Sequence, residues 1–267
     1  MTVTETTMQE FTAEHDNSLV YGKIAFPEGE GPWPVIIFSH GFSACRVYDS
    51  GMEREFVNRG FAFAAFDFCS GVPGSRSSGT SKEMSVLTEA ADLEAVINRV
   101  CEMDRIDRAH VFLLGSSQGG YVSTLVASER PDDIAGLALF FPAFNIGDDT
   151  RARVAAHGGV VPEEMQIGRL VIGRRYHDDA LSVNIFERIG AYPGEVLIVH
   201  GALDEIVPVA YSQRAAQTFQ GLCKLEIIEE LGHGFRTSPP AVRDRALGLA
   251  ADFFTSRLLS SGRVVNS

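Results

Sequence analysis

Ser117 lies in Gly115-Ser116-Ser117-Gln118-Gly119-Gly120, directly after the apolar run Val111–Leu114 and directly before a helical pattern over Gln118–Arg130. A nucleophilic serine must stand exposed at a strand tip, on a turn so tight that its neighbours have to be small. Gly115 and Gly119, two positions either side of Ser117, leave that room. The following helix would aim its free N–H groups and its positive end at the hydroxyl. The plainer role for Ser117 or Ser116 is a helix N-cap. Ser116 lacks glycines at the right offsets, so Ser117 is the expected nucleophile.

A serine hydroxyl attacks poorly until a base takes its proton. Of seven histidines, His233 in Leu231-Gly232-His233-Gly234-Phe235 lies just past the last strand-like run, where glycines make a turn that can deliver an imidazole. His15, His157 and His177 fall in the N-terminal stretch or a long insert. His110 starts a strand, and His200 reads as a structural residue at a strand end. Asp204, four residues after His200 in His200-Gly201-Ala202-Leu203-Asp204, follows a strand and a turn. It is the expected carboxylate that holds His233 in the right tautomer, with Glu205 as the adjacent competitor.

Acyl transfer also needs donors for a developing oxyanion. The backbone N–H of Gln118, the residue after the nucleophile, is one expected donor. The other is the N–H of Phe42, in the Ser39-His40-Gly41-Phe42-Ser43 loop that ends the run Val35–Phe38. Three signals in the order serine, acid, histidine predict hydrolysis through an acyl-enzyme.

The elements that must position these groups follow from the hydrophobic pattern. Short apolar runs at Val35–Phe38, Phe61–Phe68, Val111–Leu114, Ile134–Phe141, Val196–Val199 and Leu225–Ile228 suit parallel strands covered on both faces, after an antiparallel strand over Ser18–Phe26. Helices are expected over Asp49–Arg59, Met84–Val100, Gln118–Arg130, Val209–Gln220 and Ala241–Leu259. In the Met84–Val100 helix the residues Val86, Ala90, Leu93, Ile97 and Val100 form the apolar face, with Glu83, Glu89, Asp92 and Glu94 on the other side. This alternation predicts an α/β fold with a mostly parallel central sheet and helices on both faces. Residues 1–144 and 191–267 are expected to form the core. Residues 145–190 break the rhythm and are expected to be a lid inserted into it. The tail 260–267 is expected to be disordered.

At 267 residues, 45% of them apolar, the chain can bury one continuous core. A formal net charge of −12 disfavours nucleic acid and anionic membrane surfaces. The four cysteines have no paired or metal-type spacing, which suits buried thiols in a reducing compartment. The first residues carry neither a basic start nor an apolar stretch, so no signal peptide is expected, and no run approaches a membrane span. The expected setting is the cytoplasm, with neither nucleic acid nor membrane as partner, a small ester as substrate, and a homodimer left open.

The stretches SHGFSA, FDFCSGVPGS, MSVLTEAADLEAVI, GSSQGG, VLIVHGALDEIVP and GHGF resemble those of bacterial cinnamoyl (feruloyl) esterases, over about Ser18 to Leu259. More loosely they resemble the group of monoacylglycerol lipases and acylaminoacyl peptidases. The resemblance implies an α/β-hydrolase fold, no cofactor, no metal, and a small lid after the sixth strand. It implies that lid residues meet an aromatic acyl group, with Tyr176 and Asp148 at its ring hydroxyl and Phe42 and Phe144 lining its pocket. The chain departs at Ser116, where these esterases usually carry histidine. A general short-chain carboxylesterase or monoacylglycerol-type lipase is the alternative, though the polar DDTRAR and GRRYHDD stretches argue for smaller substrates. A non-catalytic α/β-hydrolase fold that binds a small molecule is the reading from a different class.

Overall fold

The computed structural model describes residues 7–46, 51–219 and 221–260. Ten strands and eight helices are described: β1 Thr7–His15, β2 Ser18–Phe26, β3 Trp33–Ser39, α1 Met52–Val57, β4 Ala62–Asp67, α2 Val86–Cys101, β5 Ile106–Ser116, α3 Gln118–Glu129, β6 Gly136–Phe140, α4 Ile146–Ala156, β7 Glu164–Ile167, β8 Leu170–Gly173, α5 Arg174–Ser182, α6 Ile185–Ile189, β9 Val196–Gly201, α7 Val209–Thr218, β10 Cys223–Ile228 and α8 Pro240–Ser260. Eight strands form one sheet in the order β1-β2-β4-β3-β5-β6-β9-β10, and β7 with β8 forms a separate antiparallel hairpin. From β4 to β10 every pairing is parallel, whereas β1 and β2 join antiparallel at one edge. This is the mostly parallel sheet expected from the alternation of runs and helices, in the α/β-hydrolase fold that the resemblance implies.

The period of two along each strand explains why the central runs are wholly apolar. Val35 and Ile37, Val111 and Leu113, Leu137 and Leu139, and Val196 and Ile198 face the layer of α2, α3, α6 and α7. Ile36 and Phe38, Phe112 and Leu114, Ala138 and Phe140, and Leu197 and Val199 face α1 and α8. Covered on both sides, a strand has no polar face to present. The second layer is rich in phenylalanine: Phe56 stacks on Phe63, and Phe254 touches Phe56, Phe61 and Phe112.

Helix α2 starts with a capping box, Ser85 Oγ accepting from the Thr88 N–H while Thr88 Oγ1 accepts from the Ser85 N–H. Its apolar face is as expected, but its acidic side is not all solvated. Glu89 and Asp92 are buried, because β1 and α3 cover that side and supply partners. Asp92 accepts from the His15 ring and the Cys69 N–H, and Glu89 from the Gln118 amide. Strand β1 is itself absent from the sequence expectation. Only Phe11 and Ala13 of it are buried, so its alternation is weak.

Residues 146–189 run between β6 and β9 as α4, the hairpin and the two short helices α5 and α6. Ile185 and Ile189 of α6 belong to the main core. The hairpin instead forms a small cluster of its own, with Leu170 and Ile172 packed on Cys45, Val72, Met84 and Tyr176, and Phe42 against them. Of the tail expected to be disordered, Ser260 ends α8, and residues 261–267 lie outside the described residues, as do residues 49–50 at the start of the expected Asp49–Arg59 helix.

Candidate active site

Strands β3, β5, β9 and β10 all end at one edge of the sheet, and β3 lies between β4 and β5, where the strand order reverses. Such a switch point opens a crevice at the carboxyl ends of the strands. The loops after β3, β5, β9 and β10 carry Phe42, Ser117, Asp204 and His233.

Ser117 joins β5 to α3 with φ 53° and ψ −120°, a conformation that strains a residue with a side chain. The flanking glycines make it feasible. A Cβ on Gly115 would lie 2.5 Å from the Gly119 carbonyl oxygen, and one on Gly119 would lie 2.2 Å from that of Ser39. Ser116 is buried in register with Phe140, whereas Ser117 is half-buried.

The Ser117 hydroxyl lies 2.9 Å from His233 Nε2, and His233 Nδ1 lies 2.8 Å from Asp204 Oδ2. A carboxylate only accepts, so Nδ1 carries the proton and donates it, which leaves the Nε2 lone pair to accept from the serine. An imidazole so placed can take the hydroxyl proton. Glu205 is exposed and takes no part. Asp204 Oδ1 accepts the N–H groups of Ile206 and Val207 at 2.9 and 2.8 Å. Burial pushes its carboxyl up, yet hydrogen bonds from His200, His233 and Val207 outweigh that and hold it well below the usual range. It stays a charged anchor for the imidazole.

The loop after β3 closes over the serine. A Cβ on Gly41 would stand 3.0 Å from Ser117 Cβ and 3.6 Å from Oγ, so any side chain there would press on the nucleophile. The Gln118 N–H opens α3 and has no intrahelical acceptor. The Phe42 and Gln118 amides thus lie in the two segments that border Oγ, and among the described residues neither is bonded to a backbone oxygen.

Several residues that support this arrangement were not singled out by sequence. His200 is fully buried, receives Ser212 Oγ at Nδ1 and reaches Val207 O and Asp204 with Nε2. Reading it as structural is right for its place, but its four-residue spacing to Asp204 signals the contact. His40 accepts the Phe68 N–H at Nε2 and donates from Nδ1 to Gly41 O, so it is neutral and pins the loop. Burial lowers its pKa, in keeping with that. Phe141 lies 5.0 Å from the His233 ring, at a φ of 38°.

The residues expected to contact an acyl group fall into two groups, Tyr176 with Phe42 and Asp148 with Phe144. Tyr176 is buried, with its hydroxyl on Gln118 Oε1. Asp148 accepts from Arg151 and the Tyr211 hydroxyl, and Phe144 is buried between Tyr121 and Phe186. Asp148 and Phe144 line a cleft of about 230 Å³ that includes neither Ser117 nor Tyr176. Tyr176 lies on the buried face of α5, whereas Asp148 lies at an exposed position of α4 beside Tyr211.

Glu89 lies beneath this site, and burial pushes its carboxyl up to about 8, with the Asp92 charge adding and the Gln118 hydrogen bond opposing. The folded chain therefore keeps a proton that the unfolded chain gives up near 4.5, and folding stability falls as pH rises from 4.5 to about 8. Urea unfolding should show the stability of Glu89→Gln relative to the parent rising by at least about 1 kcal/mol between about pH 4 and pH 9. Parallel pH curves for the two proteins would disprove this account of Glu89.

Solved structures share this fold. Est1E from Butyrivibrio proteoclasticus, with ferulic acid bound, superposes with a TM-score of 0.78 at 20% identity, covering 94% of this chain and 98% of that one. GrgF, an α/β hydrolase from Penicillium sp. sh18, gives 0.75 at 17%, with 95% and 99% covered. Mouse alpha/beta hydrolase domain-containing protein 10 gives 0.71 at 18%, with 93% and 99% covered. At such identities the likeness concerns the fold. No curated protein sequence matches the chain. The model of the Hydrolase_4 family, serine aminopeptidase S33, matches residues 31–177, more than half of the sequence, and the chain belongs to that family of hydrolases.

Proposed function

We propose that the protein is a serine esterase that hydrolyses carboxylic esters of aromatic, cinnamoyl-type acids. The observation that carries the reaction is the continuous hydrogen-bonded chain Asp204–His233–Ser117 at the crevice of the sheet. Ser117 Oγ attacks the ester carbonyl while His233 Nε2 takes its proton. The tetrahedral oxyanion is held by the N–H groups of Phe42 and Gln118. His233 then protonates the departing alkoxide, leaving an acyl-enzyme on Ser117. Water attacks that ester as His233 removes its proton. The second tetrahedral intermediate collapses, the proton returns to Ser117 and the acid leaves.

The aromatic acyl group is supported by the sequence motifs shared with feruloyl esterases and by the same fold in Est1E, which holds ferulic acid. A second reading, a short-chain carboxylesterase, is favoured by one observation. The Tyr176 hydroxyl and Asp148, the candidates for a ring hydroxyl, already have protein partners. Comparing kcat/KM on methyl ferulate and p-nitrophenyl butyrate, with Ser117→Ala as blank, separates the two. Preference for ferulate is expected; butyrate turnover with ferulate barely cleaved would move the protein to the second reading.

A further inference from the structure

Beneath Ser117 runs a buried polar chain that none of the acyl-transfer steps uses. Tyr176 on α5 donates its hydroxyl to Gln118 Oε1 at 2.7 Å, and Gln118 Nε2 donates to Glu89 Oε2 on α2 at 2.8 Å. Gln118, Glu89 and Tyr176 are only 2, 3 and 4% exposed. Burying a carboxyl, an amide and a phenol is costly unless every group is bonded, and apolar residues of the same volume would fill the space more cheaply. The chain is better explained by what it holds in place.

It holds both candidate oxyanion donors. Gln118 supplies one N–H and follows a strained residue, and such a conformation persists only where the surroundings over-determine it. Its side chain is tied from α2 on one side and α5 on the other. Tyr176 also packs edge-on against the Phe42 ring, centroids 6.0 Å apart, and Phe42 supplies the other N–H. One tyrosine thus touches both residues whose amides must point at one oxygen. We propose that Tyr176 and Glu89 are positioning residues that fix the geometry of the oxyanion hole, Tyr176 by joining Gln118 to Phe42 and Glu89 by anchoring Gln118. This rests on the esterase reading above. It assigns Tyr176 to the hole rather than to a substrate ring hydroxyl. The tie survives either protonation state of Glu89, since a carboxylate accepts from the amide and a carboxylic acid can do so with its carbonyl oxygen.

The test is hydrolysis of p-nitrophenyl acetate, whose acyl group carries no ring hydroxyl for Tyr176 to bind. Tyr176→Phe should lower kcat roughly tenfold with KM little changed, since small misplacement of a donor weakens the transition state more than the bound ester. Its affinity for a trifluoromethyl ketone, which forms an oxyanion on the serine, should fall by the same factor as kcat/KM. Glu89→Ala should show the same pattern, and Glu89→Gln, which keeps an acceptor for the Gln118 amide, should recover most of the loss. If either single variant fails to fold, the other carries the test. Full kcat on acetate in Tyr176→Phe, with loss confined to ferulate, would overturn the proposal in favour of a substrate contact. Lower melting temperature with unchanged kcat would overturn it in favour of a purely structural role. A parent protein that cleaves no ester, or a Ser117→Ala variant that still does, would instead remove the esterase reading and the proposal with it.

Discussion

Ser117→Ala is expected to lower kcat on any ester substrate by about 10⁴-fold or more, the scale seen when a nucleophile is removed while binding and oxyanion donors remain. The variant should fold as the parent does, since among the described residues Oγ bonds only His233, which is 20% exposed and can turn to water. A fluorophosphonate probe should label the parent and leave the variant unlabelled, because labelling needs an activated serine rather than a mere binding cleft. The strain at Ser117 adds a second readout. Glycine adopts a φ of 53° without penalty, so Ser117→Gly should be as inactive as the alanine variant. It should also be more stable by about 1 kcal/mol in urea unfolding. Retained activity in either variant would remove Ser117 from the reaction. Unchanged stability in the glycine variant would remove only the strain.

Asp204→Asn is expected to lower kcat by roughly 10⁴-fold at neutral pH, through the tautomer of His233. The loop makes the direction of the amide predictable. Oδ1 already accepts the N–H groups of Ile206 and Val207, and only an oxygen can do that. The asparagine NH₂ would then face His233 Nδ1 and force it to accept, which moves the ring proton to Nε2. There it points at the Ser117 hydroxyl and no lone pair remains to act as base. With both loop hydrogen bonds kept, and His200 Nε2 losing its 3.3 Å contact to Oδ2 but keeping Val207 O as acceptor, thermal unfolding should shift far less than the rate. The check is steady-state kcat beside a melting curve. A collapse of the fold, or a loss below about tenfold, would show that Asp204 mainly holds the loop.

Much of the fold is legible in the chain because its signals are local. Short apolar runs and helical spacing in α2, α3 and α8 report burial directly, and strand–helix alternation then dictates a parallel sheet. The elements that escaped are those whose burial depends on distant partners. Strand β1 buries only Phe11 and Ala13, and the hairpin of Glu164–Gly173 packs mostly on loop residues such as Cys45 and Val72. Neither carries a strong period of its own.

The candidate site divides the same way. Ser117, Asp204 and His233 could be picked out by sequence because each follows a strand end at a glycine-rich turn, and the structure brings the three into one hydrogen-bonded chain. Sequence also pointed to the two segments proposed to carry the donors, since Gly41 and Gly119 mark where backbones approach closely. Only the tertiary structure decided what surrounds them. It buried Glu89 and Asp92 of α2, which an amphipathic pattern puts in water, because β1 and α3 cover that face and satisfy both carboxyls. It turned the Tyr176 hydroxyl to Gln118, and it carried Asp148 and Phe144 to another cleft. Hydrogen-bond partners separated by tens of residues leave no periodic trace. They are settled by how helices seat on the sheet.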